Sequence, residues 1–210
     1  MAVNVTEYED EPIPGLPGRL PAGESLLWQG RPDWRILARS AFHVRAVMAY
    51  FAIVLAVGFT TGSLFGLAMT VLAGIAGTGI LTLLAWAMAR STIYSITNRR
   101  VVLRFGVALP MCVNLPMKRI ATARLDARRD GSGDIALAML GEQRAGYLML
   151  WPYVRPWHFS SPEPLLRALP DVAPVAEILV RAMAEAVPGG RRVAAAGTAG
   201  EPAALRELAA

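Results

Sequence analysis

Few residues of this chain are of a type that does covalent or metal chemistry. There is one cysteine, Cys112, and there are two histidines, His43 and His158. A lone cysteine excludes an internal disulfide and any cysteine-based zinc site. His158, in Arg-Pro-Trp-His-Phe, has no partner imidazole three or four positions away and reads as structural or exposed. Cys112 lies in an apolar, strand-like stretch and reads as buried and inert. Gly131-Ser-Gly133 has two glycines and follows no phosphate-loop pattern, so it reads as a turn. No catalytic or metal-ligating set emerges, and the expectation is a chain that is not an enzyme.

The chemistry the chain does offer is that of arginine and of aromatic rings. Lys118 is the sole lysine among 21 basic residues. Arg35, Arg39, Arg45, Arg90, Arg99 and Arg100 flank the most apolar part of the chain, where guanidinium groups can face lipid phosphate. The Arg99-Arg100 pair has two readings, a lipid-phosphate site or a solvated hairpin tip near an anionic leaflet. Trp151-Pro-Tyr-Val-Arg-Pro-Trp157 is dense in aromatics. Exposed, its Trp151, Tyr153 and Trp157 would make an interaction edge of hot-spot residue types; packed under a helix they would be core.

The elements that must position these groups begin with a hydrophobic run. From Ala46 to Ala89 there are 44 positions without a charge. A helix needs about 20 residues to cross a bilayer core, so the run is long enough for two crossings and a turn. Thr60-Thr61-Gly62-Ser63 is its most turn-like stretch. The reading is a transmembrane hairpin over 46–89: helix one from about Ala46 to Thr60, extended backward by Arg35 to Arg45, and helix two from about Leu64 to Ala89. This accounts for a composition of 54% hydrophobic and only 18% charged residues, against roughly 25% charged in ordinary soluble domains. Arg31, Arg35, Arg39 and Arg45 precede the run against Asp33 alone. Arg90, Arg99, Arg100 and Arg104 follow it with no acid between them. The positive-inside rule then places both termini in the cytoplasm. Trp34, Phe42 and Tyr50 on one arm, and Trp86 and Tyr94 on the other, sit where interfacial aromatics belong. Gly58, Gly62 and Gly66, spaced by four, suggest close packing of the two helices on each other or on a partner's helix. With no ionisable residue inside the run, an ion path is not expected.

The flanks read as one cytosolic domain. After Arg90 the period becomes two. Strands are expected at Ser91–Thr97 and Val101–Phe105 about an Asn98-Arg99-Arg100 turn, then at Met117–Ala127. Asp134–Leu140 follows an Asp130-Gly131-Ser132-Gly133 turn, and Ala145–Trp151 is a further strand. Pro162–Val187 has helical spacing, split by Pro170 and Pro174. Leu26–Gly30 supplies one more strand, which would insert the hairpin into the domain's own sequence. The fold class is an α+β membrane protein: a two-helix transmembrane hairpin plus a pleckstrin-homology-like antiparallel β roll capped by a C-terminal helix. Its segments are an acidic Pro/Gly-rich arm (1–25), a strand and helix entry (26–45), the hairpin (46–89), the roll with its helix (90–187) and a tail too poor in apolar bulk to fold alone (188–210).

Three motifs then carry a resemblance. Leu-Pro-Ala-Gly-Glu-Ser-Leu-Leu-Trp-Gln-Gly-Arg-Pro-Asp-Trp (20–34), the Phe42-His43-Val44-Arg45 entry to the helices and Tyr94-Ser-Ile-Thr-Asn-Arg-Arg-Val101 resemble the photosynthetic-complex assembly proteins of purple bacteria, the PuhB family. The likeness runs from about residue 11 to 187. The Tyr-x-Ile-Thr-Asn-Arg-Arg-Val piece is shared broadly with bacterial pleckstrin-homology-like membrane proteins. The resemblance implies a bacterial inner-membrane (intracytoplasmic-membrane) factor that assists assembly of the reaction centre and its light-harvesting 1 ring. Its partners would be subunits of those complexes and membrane lipids, with no nucleic acid and with a homo-oligomer compatible. It supplies no catalytic residues. His43, at the membrane edge, has the side-chain type that ligates a bacteriochlorophyll magnesium, but light-harvesting helices carry a small residue where this chain has Arg39. The preferred reading for His43 is interfacial and hydrogen-bonded, with no resident cofactor. The alternative function is a generic membrane-anchored module that senses lipid or tunes another envelope system.

Overall fold

The computed structural model describes residues 15, 16, 18–141, 147–156, 162–186, 194 and 195. Strand β1 (Leu26–Gly30) leads through Arg31-Pro-Asp33 into helix α1 (Trp34–Ser40). Asp33 caps that helix, its Oδ1 accepting from the Arg35 and Ile36 amides at 2.7 and 3.3 Å. This satisfies two of the amides that a helix start leaves without partners. The expected backward extension of the first membrane helix is therefore a helix of its own. His43 takes a left-handed conformation (φ 50°), and α2 (Val44–Thr61) departs at 57° from α1. Gly62, also left-handed (φ 66°), makes the next turn, a conformation that a Cβ would disfavour. Ser63 Oγ then accepts from the Gly66 amide and starts α3 (Leu64–Ser91).

Helices α2 and α3 lie against each other. The Phe51 ring covers Gly74, where an added Cβ would meet it at 3.2 Å, and a Cβ added at Gly58 would meet Leu67 at 3.1 Å. At about 1.5 Å per residue, the 28 residues of α3 extend roughly 42 Å, more than the ~30 Å of a bilayer core. Its apolar window has a mean hydropathy of 2.0 and none of it is buried. Helix α3 is thus long and apolar enough to cross a membrane. The first arm meets the same criteria only when α1 and α2 are joined across their bend.

Strand β2 (Ile93–Thr97) begins two residues after α3 with no linker. It pairs antiparallel with β1 and with β3 (Arg100–Phe105), and β3 pairs with β4 (Met111–Pro116), giving the order β1-β2-β3-β4. The hairpin is thus inserted between two neighbouring strands of one sheet. A 3-10 turn (Met117–Arg119) leads to β5 (Ile120–Ala127), so the strand expected over Met117–Ala127 starts three residues late. Strand β6 (Gly133–Met139) follows the Asp130–Gly133 turn, in which Asp130 Oδ1 accepts from both the amide and the hydroxyl of Ser132.

Two expectations fail in the second half. In the stretch expected as a strand over 145–151, the described part contains a single helical turn, α4 (Tyr147–Leu150). In the stretch expected to be helical from 162, Leu165–Leu169 is strand β7, paired with β6. Leu165, Leu166, Ala168 and Leu169 are all buried. A strand covered on both faces lacks the alternation that identifies strands, and its leucines mimic helical spacing. Ala168 is left-handed (φ 58°), held by a 2.7 Å bond from its amide to Asp134 Oδ1 and a 2.8 Å bond from the Asp33 amide to its carbonyl. Helix α5 (Val172–Ala186) follows, with Pro174 in its first turn, where no helical amide bond is needed. It buries Val172, Val175, Ala176, Leu179, Ala182 and Met183 along one face. The second sheet has the order β7-β6-β5-β8, where β8 is the parallel pair Ala194–Ala195. The rest of 188–210 lies outside the described residues. One core joins Leu37, Phe42, Ala85 and Ala89 of the helices to Tyr94, Leu103, Leu137 and Leu166 of the sheets and Leu179 of α5.

Candidate membrane and partner interface

The two quoted motifs of the domain turn out to grip each other. Asn98 Oδ1 accepts from the Ser25 amide at 3.1 Å, and its Nδ2 donates to the Gly23 carbonyl at 3.0 Å. Glu24 Oε1 takes the Arg100 Nε–H at 2.8 Å and lies 2.8 Å from Thr97 Oγ1. The Glu24 side chain is only 2% exposed. Gly-Glu-Ser and Thr-Asn-Arg-Arg thus form a clasp that closes β1 onto the β2–β3 turn. This corrects the lipid-facing reading of Arg100, whose guanidinium serves the clasp. It also relocates Arg99: Ile93 pairs with Arg104 and Ile96 with Val101, so the Asn98–Arg99 turn is at the end of the hairpin away from α3. At ~3.3 Å per residue that separation is roughly 15 Å. Arg99 is exposed, but not beside the helix exit.

The remaining arginines are at the helical end of the molecule. Arg35 stacks over Trp34 at 5.1 Å and Arg90 over Trp86 at 5.6 Å. Both tryptophans border an open apolar groove of about 600 Å³ between α1, α2 and α3, floored by Val44, Met48, Ile75 and Gly79. A Cβ at Gly79 would meet nothing within 4 Å, so the groove approaches bare backbone there. The Thr78 and Thr82 hydroxyls beside it bond to carbonyls of their own helix at 2.6 and 2.7 Å, leaving an apolar wall. Arg39 and Arg45 are exposed on α1 and α2. His43 is exposed at the bend, with Nδ1 3.1 Å from the Ala41 carbonyl. Of the glycines expected to pack helices, Gly58 does so within the hairpin, whereas Gly62 makes the turn and Gly66 belongs to the α3 start. The groove beside Gly79 escaped the sequence reading, because it depends on the bend between α1 and α2.

Between the helices and the sheets sits a polar junction that sequence reasoning missed. Thr92 Oγ1 is 2.7 Å from both the Met88 carbonyl and Tyr153 Oη. Arg167, from β7, donates to the Pro152 carbonyl at 2.9 Å and to the Ser40 carbonyl at 2.6 Å, tying α1 to the domain. Burial pushes its guanidinium pKa down, opposed by the nearby Asp134 carboxylate. Arg167 carried no signal in the sequence while its segment read as helix. Of the two readings for Tyr153, interaction edge or core, the second holds: it is 1% exposed and edge-on to Tyr94. Trp151 does remain exposed, with its ring edge-on to Phe42 at 5.7 Å. Trp157 and His158 lie outside the described residues. Cys112 is exposed rather than buried, because side chains alternate along β4 and Cys112 shares the uncovered face with Asn114 and Pro116. Among the described residues no three His, Cys, Asp or Glu side chains group as a metal site.

The two core tyrosines give this junction a pH signature. Burial raises the Tyr153 hydroxyl from 10.0 to about 12 and pushes Tyr94 well up as well. The folded state therefore prefers both phenols neutral. Their contribution is complete below the unfolded value of 10.0 and is lost as pH rises toward 12. Tyrosinate absorbance from these residues should appear together with loss of the folded circular dichroism. Titration near 10 in a still-folded protein would contradict the buried junction.

With this geometry in place, comparison with known proteins gives the family. Residues 42–183, more than half of the chain, match the Bacterial PH domain family. The chain belongs to the bacterial PH domain family. The bacterial PH domain match begins at Phe42 and ends at Met183, so it takes in α2, α3, strands β2 to β7 and most of α5, while β1 and α1 precede it and β8 follows it. A relative from Rhodobacter capsulatus, described as an uncharacterized 23.7 kDa protein in the puhA 5' region, is 38% identical over 215 residues, covering 96% of this chain and 98% of the relative. No solved structure matches.

Proposed function

We propose that this bacterial PH domain protein is a non-enzymatic inner-membrane assembly factor for the photosynthetic reaction centre and its light-harvesting 1 antenna. The observation that carries the reading is the end-to-end likeness to a relative whose described position, 5' of puhA, suggests a photosynthesis-gene context. The motifs at 20–34, 42–45 and 94–101 support it through their resemblance to the PuhB family. In this reading α2 and α3 both cross the bilayer, both termini are cytoplasmic, and the arginines around Trp34 and Trp86 set the inner-leaflet boundary. The groove beside Gly79 is the surface offered to a client's transmembrane helix, since bare backbone permits close approach. The domain, sharing a core with the helices, meets the client's cytoplasmic face. Two surfaces on one chain raise the effective concentration of the second contact, so neither has to be tight and the client can leave. The reading requires no cofactor; a transiently held bacteriochlorophyll would have His43 as its imidazole among the described residues.

Deleting the gene from its phototrophic host should lower the amount of assembled reaction centre without altering the spectrum or turnover of the complexes that do form. Immunoblots and near-infrared spectra of membranes, with plasmid complementation, measure this. Normal reaction-centre levels would defeat the assembly reading. They would favour the alternative, a generic lipid-sensing or envelope-regulating module, which the bacterial PH domain match supports equally.

A further inference from the structure

The β-sheet register puts an apolar loop beside the exit of the membrane helix. Ile93, two residues beyond α3, pairs with Arg104, and Phe105 pairs with Met111. The β3–β4 loop, Gly106–Pro110, therefore lies at the α3 end of the first sheet, continuing from the β3 residue that is one strand spacing, about 4.8 Å, from Ile93. Leu109 is 80% and Val107 56% exposed at its tip. The loop is shaped to stand out: Gly106 has φ 121°, and a Cβ there would collide with the Leu109 carbonyl. No residue from Phe105 to Met117 is charged.

A second exposed apolar segment stands at the same end. Tyr153 contacts Thr92 at the helix exit and its ring lies 5.3 Å from that of Phe105 at the root of the loop. That places the preceding residues, with exposed Met149 and Trp151, beside the α1–α2 bend where Trp151 meets Phe42. Exposed apolar side chains clustered at one end of a domain mark a contact surface. This is also the end of the domain from which α3 runs, its last two turns carrying the stacked Trp86 and Arg90 and its apolar window unburied. An anionic leaflet suits it, because arginines border the patch and no acid lies between Arg90 and Arg104.

We propose that the β3–β4 loop, with Trp151 beside it, enters the headgroup–acyl boundary of the leaflet from which α3 emerges. The domain then sits on the bilayer by its helix-exit end, with the Arg99 turn directed away. This rests on the reading of α3 as a membrane span, and the test separates the two. Full-length protein carrying Cys112→Ser is labelled with an environment-sensitive fluorophore at Leu109→Cys, Ile75→Cys or Arg99→Cys. It is then reconstituted in phosphatidylglycerol/phosphatidylethanolamine vesicles. Expected is loss of Leu109 fluorescence to lipid nitroxides placed near the glycerol level, loss at Ile75 to nitroxides deep in the acyl chains, and loss at Arg99 only to aqueous iodide. Ile75 quenched by deep nitroxide with Leu109 quenched by iodide alone overturns the loop proposal and leaves the span intact. Leu109 shielded from both quenchers means a protein surface covers it, which also overturns the proposal. Ile75 open to iodide overturns the span and the proposal together. Should the Leu109 variant lose its folded circular dichroism, Ala108→Cys gives the same reading from the same loop.

Discussion

Replacing Arg167 by methionine should destabilise the detergent-solubilised protein by about 2–4 kcal/mol, since it leaves two carbonyls without their charged donor. Those carbonyls belong to Ser40, the last residue of α1, and to Pro152, two residues after α4. Methionine restores part of the apolar volume and relieves the cost of burying a guanidinium, which keeps the loss below the full value of two charged hydrogen bonds. Arg167→Lys should recover little, because one ammonium cannot reproduce a planar fork that serves two acceptors. Thermal unfolding followed by circular dichroism measures the loss. Hydrogen exchange localises it: amides of α1 should exchange faster than those of the β5–β6 pair, which does not depend on this contact. An unchanged melting temperature would show that Ser40 and Pro152 find other donors.

The second large effect is expected at the clasp. Glu24→Ala should cost about 2–3 kcal/mol, since it removes the carboxylate from both Arg100 and the Thr97 hydroxyl. Arg100 stays about a quarter exposed, so water compensates part of its loss, but the 2%-exposed site of the carboxylate has no such route. Glu24→Gln keeps an acceptor and should lose less. Arg99→Ala, one residue from the same motif, should be neutral for stability because its side chain is exposed. Denaturant or thermal unfolding of the three variants, compared side by side, tests this order. Equal losses at Glu24 and Arg99 would mean that the motif acts through surface charge and not through the clasp.

Proximity in the chain explains which parts of this architecture were legible in advance. The uncharged run, its turn at Gly62, the α3 helix, the β2–β3 hairpin and the Asp130–Gly133 turn all rest on neighbours a few residues apart, where periodicity and turn chemistry act directly. Strand β1 was legible because its apolar run stands between Pro/Gly-rich segments. The motifs that carry the family likeness were readable as strings of residues. That Glu24 and Asn98 hold each other across more than seventy positions was not, since pairing at that distance depends on which strands become neighbours.

The failures have the same origin. Leu165–Leu169 looked helical because burial on both faces removes the alternation of a strand. Cys112 looked buried because its neighbours in the chain are apolar, but side chains alternate along β4 and only the face opposite Cys112 is covered. Tyr153 had two readings, docking edge or core, and its contacts with Thr92 after α3 and with the Phe105 ring of β3 decide for core. The sequence by itself determined an apolar helical hairpin flanked by arginines, because charge exclusion and arginine placement are properties of composition along the chain. Only the tertiary structure decided which arginines lie at the helical end, where the groove opens and which loop stands beside the end of α3. Those depend on strand register and on the bend at His43, and both are set by contacts between segments far apart in the chain.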